Sequence, residues 1–245
     1  MSHPDDDRRT DPDRQPDLSA YRRRLSRLGL PCATAGPTMS EADRLAIADA
    51  KTVLRRAVLA RRRARPDDER TDDDTTRFNR LRRFVEGGLP DTVACYLSVP
   101  PEPGTLQFIA WLASRRTRVL LPVMTEPTAG SDQPVGEPDW APYGGPDALR
   151  KGRLSIIEPS TPALGPRAIG EAGLIVLPGL AGTTDGQRLG RGGGWYDRAL
   201  QDASSDAVTV LLLNDDEVVQ VVPTHPWDRT VDVIITPSRT VVGPV

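Results

Sequence analysis

The run Leu180–Leu200, LAGTTDGQRLGRGGGWYDRAL, gathers the residue types of anion chemistry into one loop. Gly190, Gly192, Gly193 and Gly194 make a flexible turn leading into a helix expected over residues 194–203. Glycines let backbone N–H groups approach a phosphate, and a helix N-terminus adds a favourable dipole. Arg188 and Arg191 flank the turn with guanidinium forks that chelate phosphate oxygens. Asp197, just inside the helix, could hold a magnesium ion bridging those phosphates. The competing reading is a structural turn with Asp197 as an ordinary first-turn acid. The run is neither G-x-x-x-x-G-K-[ST] nor a G-x-G-x-x-G directly after a strand. Two arginines, the aromatic pair Trp195 and Tyr196, and an acid together favour phosphate.

A second candidate lies far upstream. Of the 32 basic residues only Lys51 and Lys151 are lysines. The spacing predicts a helix from Glu41 to Arg65, capped by Ser40, with Glu41 and Asp43 in its first turn and Pro66 ending it. Ile47, Leu54 and Val58 form a narrow apolar stripe, and Lys51 falls inside it with Arg55 at its edge. A cation on a packing face is costly unless an anion meets it, and otherwise it snorkels to the rim. Both readings stay open on the helical wheel alone.

These residues need a frame, and the rest of the chain supplies one. The 245 residues fit one domain plus a tail. Residues 1–40 hold six Asp, seven Arg and five Pro with one brief apolar cluster at Leu25, Leu28 and Leu30, which reads as a disordered, solvated tail. Met39 offers an alternative start. Residues 41–245 read as a single α/β domain. A second helix is expected over Thr75–Glu86, and another over residues 104–115. Strands are expected at Thr92–Leu97, Arg118–Leu121, Gly173–Leu177, Ala207–Leu213 and Val231–Ile235, where Val and Leu dominate with little alternation, as in strands covered on both faces. Strands alternating with helices predict a largely parallel sheet, and ligands in such folds sit beyond the carboxyl ends of the strands. Residues 125–145, rich in Pro and Gly, read as a long loop.

Composition excludes several classes. The net charge of −2 gives no global basic excess. Lys51–Arg65 carries seven positive charges, but six acids follow in Asp67–Asp74 and no aromatics interleave, so nucleic acid is not an expected partner. No apolar run approaches ~18 residues, so no membrane-spanning helix is expected. The start MSHPDDDRR is no signal peptide, and Cys32 and Cys95 lack metal-ligand spacing, which together make a reducing cytoplasm the expected setting.

The stretch VLPGLAGTTDGQRLGRGGGWYDRAL closely resembles the C-terminal signature of 5-formyltetrahydrofolate cyclo-ligases, also called methenyltetrahydrofolate synthetases. Lys51 and Arg55 match that family's K-x-x-x-R element. Cys95–Thr105, CYLSVPPEPGT, looks like its strand ending in a substrate-side Glu, Ile156–Pro159 like its I-x-E-P, and Asp232 in VDVIIT like its late strand Asp. The resemblance implies a three-layer α/β/α fold with a mostly parallel, mixed central sheet. It implies an ATP- and Mg2+-dependent closure of 5-formyltetrahydrofolate to 5,10-methenyltetrahydrofolate, releasing ADP and phosphate. Position by position, it implies that Lys51, Arg55 and Arg188, Leu189, Gly190, Arg191, Gly192, Gly193, Gly194, Trp195 and Tyr196 bind ATP. Lys51 and Arg191 are the residues it makes catalytic. Leu97, Glu102 and Arg191 to Trp195 are expected to bind the folate, Glu102 facing the pterin N–H groups. Asp197 and Asp232 are the expected magnesium ligands, although Asp232 taken alone reads as a strand-end cap. A monomer is favoured.

Three features depart from the family pattern: Gly182-Thr183 where an aromatic and an acid are usual, Trp227-Asp228 where His-Asp is usual with His225 two residues early, and the 125–145 loop. The alternatives are a non-catalytic folate- or nucleotide-binding paralogue and an interaction protein working through the Arg-rich helix or tail.

Overall fold

Residues 39–127, 136–153 and 156–243 are described in the computed structural model. The expected tail lies outside them except for Met39 and Ser40. The helices are α1 (Glu41–Ala64), α2 (Asp67–Glu86), α3 (Leu106–Ser114) and α4 (Trp195–Ala199). The strands are β1 (Thr92–Ala94), β2 (Arg118–Met124), β3 (Pro138–Pro142), β4 (Leu149–Lys151), β5 (Ile157–Pro159), β6 (Leu174–Pro178), β7 (Ala181–Gly182), β8 (Arg188–Leu189), β9 (Val208–Leu212), β10 (Val233–Ile235) and β11 (Thr240–Val242).

Seven strands form the central sheet in the order β11-β10-β9-β6-β1-β2-β3. The five inner strands are parallel, and β11 and β3 run antiparallel at the two edges. All five strands expected from the sequence are in this sheet. Because successive side chains point to opposite faces, each apolar run divides between two cores. Val93, Val119, Leu174, Val176, Val210 and Val233 meet α2 and α3 through Phe84, Phe108 and Leu112. Ala94, Leu120, Ile175, Leu177, Leu211 and Ile234 meet Ile169 and the α4 residues Trp195 and Ala199 on the other side. Both faces are therefore covered, which is why the strands show no polar alternation. The second outer layer is thin, built from a 3-10 turn (Pro166–Glu171) and the five-residue α4.

Two boundaries differ from expectation. Helix α2 starts at Asp67 rather than Thr75, with Asp67, Asp68 and Glu69 in its first turn and Pro66 just before it. Those acids favour a helix N-terminus, so they initiate the helix as well as offsetting the arginines. The 125–145 stretch contains β3, whose Trp140 is completely buried and pairs across from Pro122.

Helix α1 follows its stripe. Ser40 Oγ caps it by accepting from the Asp43 N–H at 3.1 Å. Val58, with Leu54 and Leu59, packs on Leu180, Leu189 and Val222. Near its end Arg62, 1% exposed, donates from Nε and Nη2 to the two carboxylate oxygens of Glu217 at 2.7 Å each, and also to the Gly179 carbonyl at 2.7 Å. Glu217 in turn accepts from the backbone and side-chain N–H groups of Asn214, both at 2.8 Å. From α2, Arg77 donates to the Leu213 carbonyl, Asn214 Oδ1 and Asp74, and Asp74 accepts from the Gly104 N–H at 2.8 Å. One polar chain thus ties both helices to the ends of β6 and β9 and to the loop after β1. Breaking a buried pair strands an uncompensated charge, so Arg62→Ala should cost about 3–5 kcal/mol of folding stability, while a double apolar replacement of Arg62 and Glu217 should cost much less. Urea midpoints of the three proteins test this, and an Arg62→Ala midpoint equal to wild type would refute it.

Candidate active site

A cleft of about 1330 Å³ opens at the carboxyl ends of the parallel strands. That exceeds the roughly 300–1,000 Å³ usual for one small molecule and leaves room for two. Six cations line it, Lys51, Arg55, Arg188, Arg191, Arg198 and Arg229, against three carboxylates, Glu102, Asp197 and Asp228. The excess suits a polyanion.

Lys51 reaches the cleft from α1, and its burial is resolved by anion pairing rather than snorkelling. Its Nζ donates to Asp228 and lies 3.0 Å from His225 Nδ1. Asp228 also accepts from the His225 backbone N–H at 2.8 Å, closing a compact three-residue unit. One turn on, Arg55 Nε donates to the Gly190 carbonyl at 2.9 Å, fastening α1 to the glycine loop. Burial holds the Arg55 guanidinium below its ordinary value, and the negative charge of Asp228 opposes that shift.

The loop itself is shaped by positive φ at Gly192 (106°) and Gly194 (61°), which glycine adopts without penalty. A Cβ on Gly192 would also sit 3.3 Å from the Arg55 guanidinium carbon. At Gly193 a Cβ would meet no protein atom within 4 Å. Backbone there is open to whatever enters the cleft. Helix α4 is only five residues long, shorter than expected, so its dipole adds little at the loop.

Arg188 is buried on β8 and pairs with Asp197. Its Nε, the Tyr196 hydroxyl and Trp195 Nε1 are buried at the cleft with no hydrogen-bond partner among the described residues. Such orphans are rare unless a ligand or water completes them. Trp195 and Tyr196 stack edge-on, with centroids 4.8 Å apart, and both meet Trp140. Trp195 is thus largely packed inward.

On the opposite wall stands Glu102. Its Oε1 pairs with Arg191 Nε at 3.0 Å and its Oε2 accepts from the Val99 N–H at 2.9 Å. The loop holding it is fastened at several points: Tyr96 hydroxyl to the Pro103 carbonyl, Thr105 hydroxyl to the Tyr96 carbonyl, and reciprocal Ser98–Thr105 bonds. Leu97 lines the same wall.

Asp232 is a correction. Its carboxylate accepts from the backbone N–H and hydroxyl of Thr209, both at 2.7 Å, at the amino ends of β9 and β10. The cleft opens at the other end of those strands, so Asp232 caps a strand and does not join Asp197. Asp228, which the sequence reading left without a role, occupies the cleft instead. Among the described residues no group of three or more His, Cys, Asp or Glu could hold a metal ion. Gly182 and Thr183 do not line the cleft.

The arrangement is a mostly parallel α/β fold with a cationic, glycine-lined cleft at the carboxyl ends of its strands. The chain belongs to the 5-formyltetrahydrofolate cyclo-ligase family, whose profile matches residues 47–237. It is 35% identical over 193 residues to the 5-formyltetrahydrofolate cyclo-ligase of Mycolicibacterium smegmatis, covering 79% of this chain and 96% of that one. The Escherichia coli K12 enzyme of the same name is 29% identical over 183 residues, 74% of this chain and 97% of its own. The fold is shared with the 5,10-methenyltetrahydrofolate synthetase of Aquifex aeolicus (TM-score 0.64, 24% identity, 78% of this chain and 92% of that one). It is also shared with that of Mycoplasma pneumoniae (TM-score 0.60, 21% identity, 76% and 98%). No helix among the described residues is long and apolar enough to cross a membrane.

Burial raises the Tyr96 and Tyr196 phenols well above their ordinary value of 10.0, with the Glu102 charge acting in the same direction. A phenol raised in the folded state contributes stability that is complete below the unfolded value and is lost as pH climbs through the folded one. Stability should therefore fall as pH rises beyond about 10, and Tyr196→Phe should flatten that fall. Urea midpoints at pH 8, 10 and 11 check it; an unchanged slope in the variant would remove Tyr196 from the account.

Proposed function

We propose that this chain closes 5-formyltetrahydrofolate to 5,10-methenyltetrahydrofolate with ATP and Mg2+, releasing ADP and phosphate. The observation that carries the reading is the single cleft holding Lys51, Arg55 and the Gly190–Gly194 loop on one side and Glu102 on the other, in a chain that matches the family over residues 47–237. A formamide oxygen is a poor leaving group. Its attack on the γ-phosphorus of ATP expels ADP and gives an imidoyl phosphate. N10 of the same folate then attacks the activated carbon, phosphate departs with the former formyl oxygen, and the N10 proton is lost to solvent.

The protein's task is positioning and charge stabilisation. Lys51 and Arg55 face the phosphates from α1, and Arg188, Arg191 and the loop N–H groups face them from below. Arg191 borders both ligands, since it already pairs with Glu102, the acceptor for pterin N–H groups. The orphaned Arg188 Nε and Tyr196 hydroxyl and the open space at Gly193 fit a ligand seated on the loop. Mg2+ binds through one or two carboxylates plus substrate phosphates rather than in an all-protein cage. Asp197 and Asp228 are the cleft carboxylates that would hold it, where it would neutralise phosphate charge. Its binding would compete with the pairs each makes with Arg188 and Lys51.

The direct test is the absorbance rise of methenyltetrahydrofolate when protein meets 5-formyltetrahydrofolate, ATP and Mg2+. Removal of either ATP or Mg2+ should abolish it. Folate binding with no rise would instead favour the non-catalytic paralogue. Lys51→Ala and Arg191→Ala should each lower kcat/KM for ATP by about 100-fold or more, and Arg191→Ala, at an exposed position, should leave thermal unfolding near wild type. Unchanged ATP kinetics in both would overturn these roles.

A further inference from the structure

Trp227 is 60% exposed, yet it lines the cleft. Its indole lies parallel to the His225 imidazole, with centroids 4.5 Å apart and planes inclined by 6°. The same imidazole lies 3.0 Å from Lys51 Nζ through Nδ1, and Asp228, the next residue after Trp227, pairs with that ammonium. A flat aromatic surface therefore stands one imidazole ring away from the lysine assigned to phosphate. Pro226 and Arg229 border it on the cleft wall. The Glu102–Arg191 pair, assigned to the pterin, belongs to the loop after β1 and the glycine turn, not to this segment.

A large exposed indole held by a stacked ring, with its neighbouring acid anchored, is preorganised to receive a second planar group. In a nucleoside triphosphate the planar group is the base, joined through the ribose to the phosphate chain. We propose that the His225–Trp227 stack is the platform for the purine base of ATP, so that Lys51 and Trp227 read two ends of one ligand. The folate ring, by contrast, lies toward Glu102. The inference rests on the ATP-dependent reading above and adds where the base goes. It also gives the replacement of His by Trp at position 227 a use, because the aromatic face at the rim is enlarged while Asp228 keeps its place beside Lys51.

Calorimetric titrations of wild type, Trp227→Ala and Trp227→Phe with a non-hydrolysable ATP analogue, inorganic tripolyphosphate and 5-formyltetrahydrofolate test this without turnover. Stacking on an aromatic side chain implies that Trp227→Ala weakens the ATP analogue by about 10-fold or more. Tripolyphosphate and the folate should bind as in wild type, and Trp227→Phe should stay close to wild type for all three. The ATP analogue should also quench wild-type tryptophan fluorescence more than it quenches the Phe variant. Loss of folate affinity with ATP affinity intact would assign the platform to the other ligand and overturn the proposal, as would equal ATP affinity in all three proteins. Wild type that binds neither ATP analogue nor tripolyphosphate would overturn the ATP-dependent reading itself, and the platform with it.

Discussion

The buried pair of Arg62 and Glu217 is the constraint on which the geometry of the site depends. Two charges removed from water are held by their mutual pairing and by further hydrogen bonds: two parallel bonds between them, a third from Arg62 to Gly179, and the Asn214 donors on the far side of Glu217. Gly179 stands where β6 gives way to the glycine-rich segment, and Asn214 where β9 ends. The end of α1 is thereby fixed against two neighbouring strand ends. Lys51 and Arg55 lie two to three turns back along the same rigid helix, so their position over the cleft is set by a contact remote from any ligand. Arg77 and Asp74 extend the same logic from α2 to Gly104, beside Glu102. Both walls of the cleft are referenced to one polar chain.

The cleft handles its own charge in a matching way. Lys51 meets Asp228, Arg188 meets Asp197 and Arg191 meets Glu102. Three of the cations assigned to a ligand thus have an acid holding the side chain in one orientation before anything binds, and Arg55 is held by the Gly190 carbonyl instead. In the proposed ATP-dependent reaction, a triphosphate with its metal ion would exchange these partners without unmaking the scaffold: the cations would turn to phosphate and the released carboxylates would become available to the metal or to donors on the folate. Preorganisation of this kind places the cost of desolvating the charges in folding rather than in the catalytic cycle.

Much of the frame was legible because its physical signals are local. Five Val- and Leu-rich runs without alternation announced strands covered on both faces, and Ile47, Leu54 and Val58 announced the face of α1. Strand β3 is hidden in the sequence because PDWAP carries a proline at each end within a Pro/Gly-rich stretch, and its antiparallel pairing with β2 is what makes it a strand. The early start of α2 is written in Pro66 followed by three acids, a helix signature that doubles as charge compensation for the arginines of α1. Arg62 and Arg77 look like any other arginine in a chain with 30 of them beside two lysines; their burial is decided by partners 117 to 155 residues away. Asp228 was missed for the opposite reason. Asp232, a few positions on, offered a plausible acid, and only the direction of the strands tells that one faces the cleft and the other its far side.

The flanks of the sheet have a consequence of their own. Both outermost strands run against the grain of the five inner ones, and both are short or interrupted: β11 has three residues, and β3 begins and ends with proline. Proline has no N–H to offer a newcomer, and an edge that is short or proline-bearing is a poor template for an incoming chain. The parallel core would otherwise present its short Val- and Leu-rich strands to neighbouring molecules. Terminating it on each side with a reversed strand that is short or proline-bearing keeps recruitment of further strands in check.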